Sequence, residues 1–402
     1  MTPEVKERIE QIRHGIVPEG YKQTKAGIYP EDWTEYTLGD IYTERKEPGN
    51  ERLPLLMVSI HSGVSDGEVD EEDLPKKVKR IEDKSQYKRA AAGDLVFNMM
   101  RAWQGAIGTV RTEGMVSPAY IVAEPNKLVD PLFMDYYMKT ARMIHTIHRQ
   151  SYGVTDFRLR LYWDSFAPIC CLLPSVAQQR RIAEILTAQD KVIDLKEKLL
   201  AEKQRQKKYL MQQLLTGKKR LNSFCDQWVQ TKLFNISSYK ASSITANSLE
   251  NYSGDKLYPL YDASGILCYV DFYKSEKPYV SIVKDGAGAG RVALATNNSS
   301  VLGTMGYVFP TDDVLVEYLY YCLEAVDFSK YCNGSTIPHV YYKDYGFEKI
   351  LLPKLEEQQA IISFLVSADK EIELLRQDLE QEKQKKKALM QLLLTGIVRV
   401  NA

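Results

Sequence analysis

Arg101 and Gln104 stand three residues apart in the run Met99-Met100-Arg101-Ala102-Trp103-Gln104-Gly105. An arginine can fork onto O6 and N7 of guanine and a glutamine onto N6 and N7 of adenine, so the pair carries the chemistry of base readout in a DNA major groove. Hydrogen bonding within a domain is the competing use. Lys284 and Arg291 flank Gly286-Ala287-Gly288-Ala289-Gly290, a loop whose backbone could approach a phosphate closely, or could simply turn. Ser335, Thr336 and His339 could present hydroxyls and an imidazole to bases or phosphates. Asn297 and Asn298, followed by Ser299 and Ser300, would offer polar contacts from a loop, with a surface turn as the plain alternative. Lys76, Lys77, Lys79, Arg80 and Lys84, continued by Lys88 and Arg89, form a dense basic stretch directly after the acidic Asp66 to Asp73. Such a run is either a solvated face or a DNA contact.

Other chemistry is not encoded in recognisable form. The glycine loop lacks GxGxxG spacing, and the chain has no GxxxxGK[ST] phosphate loop, no GxSxG elbow, no HExxH helix and no Asn/Asp-Pro-Pro-Tyr methyltransferase signature. His145 and His148 share a helix face at i, i+3, but no third metal ligand stands out. Cys170, Cys171, Cys225, Cys268, Cys322 and Cys332 contain no CxxC pair, so no zinc knuckle or disulfide framework is indicated and a reducing cytoplasm is the expected compartment. Neither a signal peptide nor a membrane anchor is expected from the charged Met1 to Arg13 segment.

The elements that must position these residues are legible through an internal repeat. One helical pattern begins at Gln178-Gln179 and closes on Leu214-Leu215-Thr216-Gly217; another begins at Gln358-Gln359 and closes on Leu393-Leu394-Thr395-Gly396, offset by 395 − 216 = 179 residues. Leu173-Pro174 and Leu352-Pro353 precede them, as suits a helix start, and glycine suits the C′ position. Ile193, Leu200, Leu210 and Leu214 in the first copy and Ile372, Leu379, Leu389 and Leu393 in the second trace a coiled-coil seam with a polar middle. At about 1.5 Å per residue each helix runs roughly 60 Å. Two such stripes most simply bury each other as an antiparallel pair.

Charge is balanced at 53 basic and 53 acidic residues, yet unevenly placed: residues 173–221 hold 12 basic and 5 acidic, whereas 1–172 hold 23 and 26 and 222–353 hold 10 and 14. A DNA reader built so depends on local patches or on a partner's phosphate contacts. Short β-rich runs (Asp94 to Asn98, Tyr120 to Ala123, Tyr279 to Val283, Met305 to Phe309) alternate with turns, and helices are expected over Leu132 to His148, Val314 to Val326 and Pro3 to Arg13.

With these motifs the chain resembles the specificity (S) subunits of type I restriction-modification systems over nearly its whole length. The Leu-Leu-Thr-Gly endings and the Leu-Pro to Gln-Gln helix starts carry the resemblance; the first copy departs by Ala177 and by Arg180-Arg181. Gly93-Asp94-Leu95-Val96, Gln104 to Gly108 and Ser117-Pro118-Ala119-Tyr120 look like one variety of recognition domain, and Lys284-Asp285-Gly286, Gly303-Thr304-Met305 and Ser335 to His339 like another. The resemblance implies an α+β fold: two mixed α/β target-recognition domains (1–172 and 222–351) separated by two long antiparallel coiled-coil helices (173–221 and 352–398), with pseudo-two-fold symmetry. It further implies a non-catalytic chain that reads a bipartite, asymmetric site in double-stranded DNA and binds two methyltransferase subunits and, in some systems, restriction subunits. S-adenosylmethionine, ATP and magnesium would belong to those partners. A coiled-coil scaffold that reads no DNA, and a stand-alone nuclease with dispersed carboxylates, are the competing expectations.

Overall fold

The computed structural model describes residues 2–25, 27–60, 63–65, 84–153, 155, 158–221, 223–249, 257–334 and 337–401. The basic residues Lys76, Lys77, Lys79 and Arg80, and Ser335 and Thr336, lie outside them. So does the Lys84 side chain, whose backbone falls in a short 3-10 turn.

Two 40-residue helices, Val176–Leu215 and Leu355–Leu394, match the repeat. The chain divides into two compact units, each holding one half of each helix: residues 1–195 with 379–402, and residues 196–378. Within each unit the half-helices run antiparallel. In the first, Ile182 and Leu186 share a core with Leu393 and the flanking Leu389, while Gln189 and Asp190 meet Glu382 and Lys386. In the second, Met211 and Leu214 share a core with Ile361 and Leu365, while Lys196, Lys203 and Lys207 meet Asp378, Glu371 and Asp369. The polar middle of the seam is therefore a set of cross-helix ion pairs. Of the seam residues, Leu214, Ile372, Leu379 and Leu393 are buried, and Ile193, Leu200, Leu210 and Leu389 are half-buried.

The first unit begins its domain with β1 (Thr34–Thr37) and β2 (Tyr42–Glu44), continues through β3 (Leu95–Asn98), β4 (Ile107–Thr109) and β5 (Tyr120–Pro125), and returns with β6 (Cys170–Leu173), which pairs antiparallel with β1. Its four-stranded sheet has the order β2-β5-β3-β4. The second unit repeats this plan with β7 (Val229–Lys232), β8 (Ser237–Ala241), β9 (Tyr279–Val283), β10 (Val292–Ala295), β11 (Met305–Pro310) and β12 (Lys349–Leu352), in the sheet order β8-β11-β9-β10 and with β7 paired to β12. Both central strands, β3 and β9, are buried without alternation because each sheet is covered on two faces. Leu95 and Phe97 join the core shared with the helices while Val96 joins a second cluster with Val58 and Val116; Val280 and Ile282, against Tyr279 and Val283, divide likewise.

The single helix expected over Leu132 to His148 is two, Pro131–Met138 and Ala141–Gln150. Thr140 interrupts them, its hydroxyl accepting from the Met143 amide as an N-cap. The helix expected over Val314 to Val326 spans Val316–Glu324, and the N-terminal one spans Pro3–Arg13, where Arg8 donates to the Ile397 carbonyl at 2.7 Å. No helix among the described residues is long and apolar enough to cross a membrane.

Candidate nucleic-acid interface

The joint between domain and helices repeats its main contacts in both units. Gln179 and Gln358, both fully buried, take the same three partners. The Gln179 side chain accepts from the Asp130 amide and donates to the Leu128 and Pro174 carbonyls; that of Gln358 accepts from the Leu315 amide and donates to the Asp313 and Pro353 carbonyls, all at 2.8–3.0 Å. Eleven positions further along each helix, Asp190 accepts from the Tyr136 phenol at 2.7 Å and Asp369 from the Tyr321 phenol at 2.8 Å. Lys386 and Lys207 close the two triads with ion pairs of 2.6 Å, each ammonium also lying over the tyrosine ring. Burial raises both phenol pKa values above the ordinary tyrosine range, which keeps them as donors. The helix residues, Gln179 and Gln358, Asp190 and Asp369, and Lys207 and Lys386, are related by the 179-residue offset of the repeat, whereas their domain partners Tyr136 and Tyr321 stand 321 − 136 = 185 apart.

On this shared joint each domain brings two loops together. In the first unit the β3–β4 loop makes a 3-10 turn, Ala102–Gln104, which leaves Arg101 and Gln104 exposed. Against it lies the segment from Tyr152 to Arg160, closed by paired backbone hydrogen bonds between those two residues and anchored where the Leu161 amide donates to the Met99 carbonyl at 2.9 Å. In the second unit the β9–β10 loop carries Lys284 and Arg291. The segment from Asn333 to His339 closes in the same way, and the Val340 amide donates to the Lys284 carbonyl at 2.9 Å. Arg160 and His339 are thus equivalent, again 179 apart. Gly153 and Gly334 are required where the two segments turn, since a Cβ there would fall 2.2 and 2.4 Å from the carbonyl oxygens of Arg158 and Ile337.

The first unit presents an exposed face of Arg101, Gln104, Arg158, Arg160 and Tyr152. The second unit's face is mixed in charge: His339 Nδ1 lies 2.7 Å from Asp285 Oδ1, Lys284 lies 3.5 Å from the same carboxylate, and Lys343 lies over the ring of Tyr341. Arg101, Gln104, Lys284, Arg291 and His339 therefore occupy matching loops. The nearness of Arg101 to Arg160, and the pairing of Asp285 with His339, is not signalled by spacing, because each pair of loops is brought together only by the fold.

Other candidates sit elsewhere. Asn297 and Asn298 follow β10 at the end opposite Arg291; Asn298 takes a left-handed φ of 49°, as asparagine tolerates in a turn. Ser299 and Ser300, expected to offer polar contacts, are buried, and the Ser299 hydroxyl donates to the Thr296 carbonyl and accepts from the Tyr279 phenol. The glycine loop is no open cradle of amides: those of Asp285, Gly286, Ala289, Gly290 and Arg291 already donate to carbonyls of the domain. Lys88 donates to the Tyr120 carbonyl, with burial lowering its pKa, and Arg89 is engaged by Glu47 and Glu113. His145 and His148 are exposed, the latter against Trp103; among the described residues no three His, Cys, Asp or Glu side chains gather as a metal site.

Residues 226–383 match the model of the type I restriction modification DNA specificity domain. The type I restriction enzyme MjaVIII specificity subunit of Methanocaldococcus jannaschii is 23% identical over 95% of this chain and 96% of its own length. The putative type I restriction enzyme MjaX specificity subunit of the same organism is 25% identical over 95% and 97%. The crystal structure of a type I restriction-modification S subunit from M. genitalium superposes with a TM-score of 0.57 at 13% identity, covering 90% of this chain and 96% of that one. A chain from a structure describing complex assembly and conformational transition of the type I system gives 0.55 at 17%, over 92% and 99%. The domain match over residues 226–383, the relatives that span the whole length and the shared fold agree: over nearly its whole length this chain is similar to the specificity subunits of type I restriction-modification systems.

Proposed function

We propose that the chain reads a bipartite, asymmetric site in double-stranded DNA, one half-site by the paired loops of each unit, and positions two methyltransferase subunits, and restriction subunits where a system has them, on that site. Catalysis belongs to the partners: S-adenosylmethionine serves the methyltransferase, and ATP with magnesium serves cleavage. The carrying observation is that two loops meet at the same place in both units while their side chains differ, Arg101, Gln104 and Arg160 against Lys284, Asp285 and His339. A common frame with dissimilar readers suits two dissimilar half-sites. Arginine and glutamine favour guanine and adenine edges in the first. The long helices act as a ruler in this reading, because readers on one face of a duplex engage grooves about one helical turn, roughly 34 Å, apart. Arg291, Asn297, Asn298, Lys284 and the basic stretch from Lys76 to Lys84 supply backbone contacts. Mapping methylated bases in cells with and without this chain tests the proposal. One two-part motif should lose methylation when the chain is removed; an unchanged map would leave a scaffold without DNA readout as the better reading.

A further inference from the structure

His339 and Arg160 hold the same place in two domains but differ in one chemical respect. A guanidinium donates at every accessible pH and never accepts, whereas an imidazole has one nitrogen that changes role with its proton. In the second unit that choice is set by Asp285. Its ionised carboxylate can only accept, so the 2.7 Å contact requires hydrogen on His339 Nδ1. Nε2 is then the nitrogen left for a ligand, on a side chain about one-third exposed. The ring is held further by Tyr341, stacked at 6.3 Å and 14° between planes, and by the backbone pairing of His339 with Asn333. The charged and titratable groups that bear on the pair are Lys284 at 3.5 Å from Asp285, the Tyr239 phenol facing the same carboxylate, and Lys343 over the Tyr341 ring. The first unit has no counterpart of this carboxylate: the residue after Met99, the equivalent of Lys284, is Met100, which is exposed.

We propose that His339 is a specificity-determining residue of the second half-site, read out through Nε2, and that Asp285 is its positioning residue. The inference rests on the DNA-reading function proposed above and names one of its contacts. With Nδ1–H given to Asp285, a neutral His339 presents Nε2 as an acceptor suited to adenine N6 or cytosine N4. A protonated His339 presents Nε2–H as a donor suited to guanine N7 or O6. Imidazole is the side chain whose charge ordinarily changes between pH 5 and 8, so base preference at one position of the second half-site changes with pH. The first half-site, with Arg160 in the same place, keeps its preference.

The test uses the chain assembled with its methyltransferase and two duplex libraries, each with one half-site randomised, methylated at pH 6 and pH 8. Comparing the libraries within one enzyme cancels any pH dependence of methyl transfer. The expected result is a change of about tenfold in base preference at one position of the second half-site, the size a single hydrogen bond to a charged group supports, and none in the first. His339→Arg should abolish the change and leave the first half-site's preference intact. Asp285→Ala should weaken discrimination at the same position several-fold. A second half-site whose preference is the same at both pH values, or a His339→Arg complex that keeps the wild-type change, overturns the assignment. A wild-type complex that methylates no duplex overturns the DNA-reading function itself, and this inference with it.

Discussion

The two units answer differently to the same question, namely how far a residue can be traded along the chain by 179 positions. At the joint with the helices the trade is nearly free: Gln179 for Gln358, Asp190 for Asp369 and Lys386 for Lys207 make matching contacts, and Tyr136 and Tyr321, 321 − 136 = 185 apart, meet them in the same way. At the loop tips it fails. Arg160 becomes His339, and a methionine stands where the second unit places Asp285. Buried polar groups tolerate little change, because each must find its partners or lose them at a cost of about 1–3 kcal/mol. Exposed loop residues carry no such constraint and are free to differ. The contrast teaches where this chain holds its frame and where it holds its information.

Substitutions can break the symmetry of the frame. Gln179→Ala and Gln358→Ala each leave one buried amide and two carbonyls without partners, so each should lower stability by about 3 kcal/mol in chemical denaturation. A loss under about 1 kcal/mol in either would mean that the joint does not depend on this side chain. A smaller and unequal effect is expected at the helix ends. Gly217 and Gly396 both take positive φ, 64° and 73°, but a Cβ at Gly396 would fall 2.5 Å from the Pro30 ring, whereas one at Gly217 would meet Trp228 at an ordinary 3.5 Å. Gly217→Ala should cost about 1 kcal/mol from the left-handed backbone alone, and Gly396→Ala about 2 kcal/mol or more. Equal costs would show that Pro30 yields without strain.

What was legible in the sequence follows the same division. The helix ends could be read because Leu-Leu-Thr-Gly states an apolar face and a left-handed cap in four adjacent residues. The central strands could be read because Tyr279 to Val283 and Asp94 to Asn98 are short β-rich runs bounded by turns. Gln179 and Gln358 were visible only as helix starts, since their partners at Leu128 and Asp313 lie 51 and 45 residues away and leave no local trace. Thr140 was missed as a helix break because its side chain caps a second helix in the same apolar pattern. Arg101 and Lys284 could be picked out by type. The place of Arg160 beside the Arg101 loop and the pairing of Asp285 with His339 could not, because nothing short of the fold sets the two loops side by side. The offset of 179, applied to Asp190 and Lys207, would have pointed to Asp369 and Lys386 before any coordinates.

The most direct test of the account exchanges one reader and leaves the frame alone. Residues 222–351 are replaced by a recognition domain of a type I specificity subunit, with Gln358 and both long helices kept, and the methylated sequence is mapped. One half of the motif should change, with the other half and the intervening length the same. A change in both halves would contradict the claim that each unit reads its own half-site.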